Sequence, residues 1–382
     1  MLQYLCSKNK IHNILLLIYV YSFYIRDIMN YIFGLPTVAY YVSLITIVFT
    51  VLIIDRKLSK KVIFFELFFI IIVLINALIV DYQYYVLVEG IQAFLCVSIP
   101  ILIISGKNFK LNTFILFWYK FYKYSFFIVL TTLILFIKDI FNYGVFNFII
   151  LPNIVGFALY LLTKRNSDLF DYIILMLNLS IILFCGGRVS ALTCFFIMYF
   201  SLFYVHDASI RTIMVLAPLL FSIYSYFNIS QIITFLIDIS ISYNIHSRNL
   251  NLLLNNVDTG TLYLTGRDSI YLLCYEKIIE NGYFPGGFGV VLHMTDGKYY
   301  YAHNILLQMF LTFGYVVSLF VSILIIIKFY RLIRIRSNNV KIFTLLLFIS
   351  YFMIGLTGSS FWIHPFSTIL ISMLFFYKCE EA

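Results

Sequence analysis

Long apolar runs, each closed by a short polar or basic break, repeat along nearly the whole chain. A helix needs about 20 mostly apolar residues to cross the hydrocarbon core of a bilayer, within a range of about 17–25. It also satisfies its own backbone there, which lipid demands. On that measure the pattern predicts twelve spans: 11–25, 37–54, 62–80, 84–104, 118–137, 146–163, 169–187, 189–205, 211–229, 303–327, 341–357 and 359–377. The predicted fold is all-α, a polytopic integral membrane protein of about 12 transmembrane helices. One stretch breaks the rhythm. Residues 230–302 hold no span, so the chain divides into a membrane bundle 1–229 of about nine spans, a large loop 230–302 and a second bundle 303–382 of about three. Connections longer than about 12–15 residues are usually functional or disordered, and the partly helical patterning of this one favours function.

Composition removes the other classes. Of 382 residues, 63% are hydrophobic and 11% charged, with a mean hydropathy of +0.98. Soluble domains run at about 45–50% apolar and about 25% charged, so this excess does not fit inside a water-soluble globule. A soluble enzyme, a secreted disulfide scaffold, a nucleic-acid binder and a disordered chain are excluded. The six cysteines show no CxxC spacing and sit mostly in apolar runs, giving no redox or metal signal. The first apolar run lacks a small-residue cleavage site and reads as a retained span.

The net charge of +9 is a matter of topology. Basic residues gather in cytoplasmic loops. Of 26 Lys and Arg, all but Arg26, Lys138, Arg188, Arg248, Arg267, Lys277 and Lys298 fall on one side of the twelve-span layout. Both termini are thereby predicted to be cytoplasmic, and 230–302 to be extracytoplasmic. Acids inside spans are few, Glu66 and Glu89 among them, and the spans divide nine to three with no two-fold repeat. A proton or sodium relay and the similar halves of many transporters find little support in that pattern.

Three clusters concentrate polar chemistry at the expected outer face. Cys185-Gly186-Gly187-Arg188 joins two consecutive spans. Two readings of Arg188 stand, an arginine snorkelling to headgroups and a bidentate phosphate ligand. Thr265-Gly266-Arg267-Asp268 opens a helix running to about Gly282, with apolar Ile270, Leu273, Cys274 and Ile278 on one face. Thr265 and Asp268 fit a capping box. The helix start with Arg267 reads either as an anion site or as a solvated arginine on an ordinary capped helix. Pro285-Gly286-Gly287-Phe288-Gly289 allows close backbone approach to a ligand and equally a plain surface turn. His303, in Ala302-His303-Asn304, is an interfacial histidine or a proton acceptor near neutral pH.

In this order the residues resemble the O-antigen ligase and O-antigen polymerase (Wzy-type) superfamily. The resemblance rests on Gly187-Arg188, then Thr265-Gly266-Arg267 with its helix, then P-x-G-x-G at 285–289, then A-H-N-x-x-L-Q at 302–308 with Gly314 beyond it. Pro152-Asn153, at the expected outer start of a span, adds to it. An acid often found before the last glycine is absent around Thr312-Phe313. A tryptophan often found after the T-G-R start is replaced by the aromatics Tyr271 and Tyr275.

The resemblance implies a membrane glycosyltransferase of the bacterial inner membrane. It would move a glycan from undecaprenyl diphosphate to a sugar hydroxyl of another lipid-linked unit. Arg188 and Arg267 would hold the diphosphate and stabilise the leaving group, and His303 would orient or deprotonate the acceptor. Gly266, Gly287, Gly289 and Asn304 would line the substrate site. No cofactor is expected, because the donor is already activated. The expected partners are the lipid-linked oligosaccharide, the bilayer, and a chain-length regulator and flippase of the same pathway, with no nucleic acid. AT-rich codon usage, visible in 41 Phe and 32 Tyr, favours the polymerase over the ligase that transfers finished glycan to lipid A–core. A flippase or other transporter, and a scaffold in polysaccharide export, are the rivals from other classes.

Overall fold

The computed structural model describes residues 8–34, 36–55, 58–138, 141, 144–164, 167–205, 230–242, 248–259, 267–355 and 360–378. Among them every regular element is a helix. In chain order these are α1 Lys8–Val20, α2 Ser22–Phe33, α3 Pro36–Asp55, α4 Lys60–Ile79, α5 Gln83–Ser105, α6 Leu111–Ile137, α7 Gly144–Lys164, α8 Leu169–Cys185 and α9 Arg188–Val205. There follow α10 Ser230–Ser242, then α11 Arg248–Thr259, α12 Arg267–Glu280, α13 Val290–Met294, α14 Ile305–Ile333, α15 Asn338–Gly355 and α16 Pro365–Phe376. Seven of the helices, α4, α5, α6, α7, α9, α14 and α15, are long and apolar enough to cross a membrane.

Several boundaries differ from the hydropathy reading. The run 11–25 is divided at Tyr21, whose φ of −96° and ψ of 12° separate α1 from α2. The apolar residues continue past the break to Ile25, and the Arg26–Asp27 pair at 2.8 Å follows directly after them in α2. The expected span 303–327 begins only at Ile305, because Asn304 caps it through bonds from Leu306 N and Leu307 N. His303 and Asn304 therefore precede the helix. Pro152-Asn153, expected at a span start, lies inside α7 with both residues buried, since the apolar residues before it are already helical. The expected span 211–229 lies outside the described residues.

The chain forms two compact units, residues 1–117 with 267–382, and residues 118–266. In the first, α5 is the hub, packed by α1, α3, α4, α13 and α16. Gly90 of α5 lets α4 approach so closely that a Cβ there would sit 2.6 Å from Val73 Cγ1. Such small residues drive helix contact in lipid, where apolar burial between helices brings little gain. Pro100 inside α5 removes the N–H that would bond Cys96 O. The buried Tyr19 hydroxyl of α1 donates to that carbonyl at 2.7 Å and lies 2.7 Å from Thr368 Oγ1 of α16. One phenol thus repairs a proline defect and ties three helices.

In the second unit α7 is the hub, packed by α8 and α9. Gly156 admits the Trp118 indole, whose Cδ1 would lie 2.5 Å from an added Cβ. Asn153 and Asn178 meet at 3.4 Å, with Asn178 Nδ2 also bonding Ile174 O at 2.8 Å. At the start of α8 the fully buried Asp171 accepts from Asp168 N at 2.9 Å and Tyr119 Oη at 2.6 Å, with Lys123 Nζ at 3.3 Å.

Candidate functional site

The polar centre of the first unit is built where the segment 281–304 returns to the bundle. Helix α12 packs on α14 through Ile270, Cys274 and Ile278, which join Val290, Val291, Ala302 and Leu311 in one apolar cluster. The stripe is i, i+4, i+8, and Leu273, expected on it, is exposed instead. After α12 the chain turns through Gly282 and Tyr283 at φ of 60° and 66°. It then lies along α14 where that helix is broken at Gly314, with φ 72° and ψ 172°. The break releases two carbonyls and an N–H, and the loop satisfies them: Gly286 N donates to Leu311 O at 2.7 Å, Gly287 N donates to Thr312 O at 3.0 Å, and Tyr315 N donates to Tyr283 O at 3.0 Å. Irregular backbone within an apolar helix is tolerated where protein satisfies it in this way.

The loop glycines make their close approaches to protein. A Cβ on Gly287 would overlap the Asn76 side-chain amide, and one on Gly289 would fall 2.5 Å from the backbone of Tyr85. Phe288 N donates to Asn76 Oδ1 at 2.7 Å, and Gly289 N donates to Glu89 Oε2 at 2.5 Å. Tyr82 donates its hydroxyl to Gly286 O and stacks on His293 at 4.4 Å between centroids. Phe288 itself meets Trp362 edge-on at 5.3 Å. These two glycines are thus consumed in docking the loop to α4 and α5, and Asn304 uses its side-chain oxygen as a helix cap.

His303 stands apart from these spent groups. Its φ is +53°, a left-handed conformation that costs a non-glycine residue about 1–3 kcal/mol and persists only where the surroundings hold it. Three bonds do so. Tyr271 Oη of α12 donates to His303 O at 3.1 Å, Ala302 N on one side donates to Gln308 Oε1 at 2.7 Å, and Asn304 caps α14 on the other. The ring is flanked edge-on by Tyr301 at 4.6 Å and Tyr299 at 6.0 Å. Its Nδ1 is buried and has no hydrogen-bond partner in the protein. Burial, with the charge of Arg267 adding to it, pulls the imidazole down from the usual 6.5 to about 4. At neutral pH this histidine is uncharged and holds an open polar nitrogen beside an arginine. Arg267 is half-exposed at the first turn of α12, where the dipole end favours anions.

The structure therefore brings Arg267, His303, Asn304, Gly287 and Gly289 into one unit. Arg188 belongs to the second unit, where it opens α9 immediately after Gly187, whose N–H donates to Asn147 Oδ1 at 2.7 Å. Thr265 and Gly266 lie outside the described residues. Among the described residues no three His, Cys, Asp or Glu side chains gather as a metal site would need.

Glu89 and its partners are what sequence reasoning passed over. Glu89 read as a weak relay candidate, yet it is the acid around which the loop is docked. The signal was present: an ionisable residue within an apolar span is expensive and points to function by default. Gln308 stood in the A-H-N-x-x-L-Q string without an assigned role. Compared with family models, with curated proteins and with solved structures, the chain matches none of them.

Proposed function

We propose that the protein is a bacterial inner-membrane glycosyltransferase of O-antigen polymerase type. In this reading it has about twelve spans with both termini cytoplasmic, and it joins repeat units carried on undecaprenyl diphosphate outside the inner membrane. The observation that carries it is the buried His303, neutral at pH 7 with Nδ1 open, beside Arg267 at a helix start. An acceptor hydroxyl attacks the anomeric carbon of the donor, and its proton passes to His303 Nδ1. The bond between that carbon and the phosphate oxygen breaks, and undecaprenyl diphosphate leaves. Arg267 neutralises the departing diphosphate. A protein with these residues needs no nucleotide, because the donor brings its own leaving group.

The test is synthesis by the purified protein from lipid-linked repeat units, read as a polymer ladder. Product that disappears with His303→Ala and Arg267→Ala supports the reading. No product from an authentic donor favours a flippase or scaffold role. In cells, loss of a polymerase leaves core bearing a single repeat unit, whereas loss of a ligase leaves bare core, so one lipopolysaccharide gel separates those two.

A further inference from the structure

Glu89 takes no part in the steps above, yet it is among the most heavily bonded side chains of the first unit. It is 2% exposed. Its Oε2 accepts from Gly289 N at 2.5 Å, and its Oε1 accepts from Gln308 Nε2 and from Trp362 Nε1, each at 3.1 Å. The three donors come from three separate stretches: the glycine loop, α14, and the segment before α16. A carboxylate accepts and does not donate, so its lone pairs match all three partners.

The second contact leads to the candidate base. With Nε2 held by Glu89, the Gln308 amide has one orientation, which turns Oε1 to receive Ala302 N at 2.7 Å. Ala302 is fully buried and precedes His303 directly. On the other side Asn304 is fixed by its cap bonds to Leu306 N and Leu307 N. His303 is clamped between two pinned neighbours, which is how a non-glycine residue is kept at φ +53°.

We propose that Glu89 is a positioning residue: through Gln308 and Ala302 it holds His303 in the left-handed conformation that keeps Nδ1 buried and open. Its effect on transfer rests on the function proposed above, while its effect on the histidine does not. The same carboxylate holds Gly289, so the base and the loop beside it are set by one group. The geometry is specific to a glutamate here. Glu89→Gln turns an N–H toward at least one of three donors, and Glu89→Asp, one methylene shorter, cannot reach all of them.

The full chain in lipid nanodiscs, labelled with 15N-histidine, gives the test, with the His303 signal assigned by its loss in His303→Ala. In the unsubstituted protein His303 is expected to titrate near 4. In Glu89→Gln the midpoint moves toward the ordinary 6.5. Polymer synthesis from lipid-linked repeat units then falls about 10- to 100-fold in kcat, with a smaller change in KM. Glu89→Gln combined with Gln308→Glu restores a donor–acceptor pair between the two positions and recovers part of both effects, Trp362 being left facing the new amide. Should Glu89→Gln not fold, Gln308→Met, which strips the bond to Ala302 at similar volume, carries the same expectation. The proposal is overturned if a folded Glu89→Gln leaves the His303 midpoint in place, or if the double variant is no better than the single one. If the midpoint moves but His303→Ala still makes polymer, the positioning stands and the proposed function falls.

Discussion

Two buried acids, one in each unit, show how differently the same residue chemistry is used. Asp171 in the second unit is compensated by charge: Lys123 Nζ lies at 3.3 Å, and two further bonds come from Tyr119 and the start of its own helix. Its partners come from only two places, its own first turn and α6, where Tyr119 is 52 residues away. Glu89 in the first unit has neutral donors, and the chain separations are 200, 219 and 273 residues. Asp171 secures a helix end, whereas Glu89 gathers distant segments around a histidine. Asp171 follows the polar break 164–168 at a helix start, and Glu89 lies inside an apolar helix. The identity of the partners separates them further.

That contrast can be broken by substitution, and the largest effect is expected at the histidine. His303→Ala should lower polymer synthesis by about 10²- to 10⁴-fold while the thermal midpoint in detergent moves little, because the ring makes few bonds. Next is Asp171→Asn, which puts a neutral amide in the buried site and leaves the partly exposed Lys123 with Asp168 alone, at 3.0 Å. It should destabilise the second unit by about 2–3 kcal/mol, read by thermal unfolding, with synthesis per folded molecule nearly unchanged. If Asp171→Asn instead reduced synthesis as severely as Glu89→Gln, the distinction between anchoring and positioning acids would be lost.

The pH profile sharpens the comparison. With His303 lowered to about 4, kcat should rise through that pH and be flat from about 6 to 7. The stability sign follows from the same shift. The unfolded histidine takes up its proton near 6.5 and the folded one near 4, so stability contributed by keeping it neutral is present above the unfolded value. It is lost as pH falls toward the folded one. His303→Ala should remove that slope from an unfolding-versus-pH series. The smallest effect is expected at Tyr19→Phe, which leaves the Cys96 carbonyl bare beside Pro100. About 1–2 kcal/mol of stability should be lost, with no change in the His303 midpoint.

Local pattern made much of the fold legible. Apolar run length located α4, α5, α7, α8, α9 and α15 within a few residues, while α6 starts before the expected 118–137 and α14 runs past the expected 303–327; the 3.6-residue spacing found α12 inside the long loop. It failed where the determining contact was distant or where a single residue changed the backbone. The glycines at 287 and 289 advertised a close approach but not its object, because Asn76 and Tyr85 lie far earlier in the chain. Gly314 interrupts α14 without altering its hydrophobicity, since both halves are apolar. For the site, residue type and order pointed to Arg267 and His303. The open nitrogen of His303, its lowered proton affinity and the acid behind it are products of packing, which no spacing rule reports.

The broken α14 also bears on how the chain is assembled. Residues 283–287 leave the ribosome before the carbonyls of Leu311 and Thr312 that they later cover. A helix passing into lipid with those two carbonyls bare would carry a penalty of several kcal/mol for each. A helix running unbroken through Gly314 satisfies both carbonyls itself. The break and the docking of the glycine turn are therefore two halves of one rearrangement, and a mutation that blocks the turn leaves α14 a continuous helix.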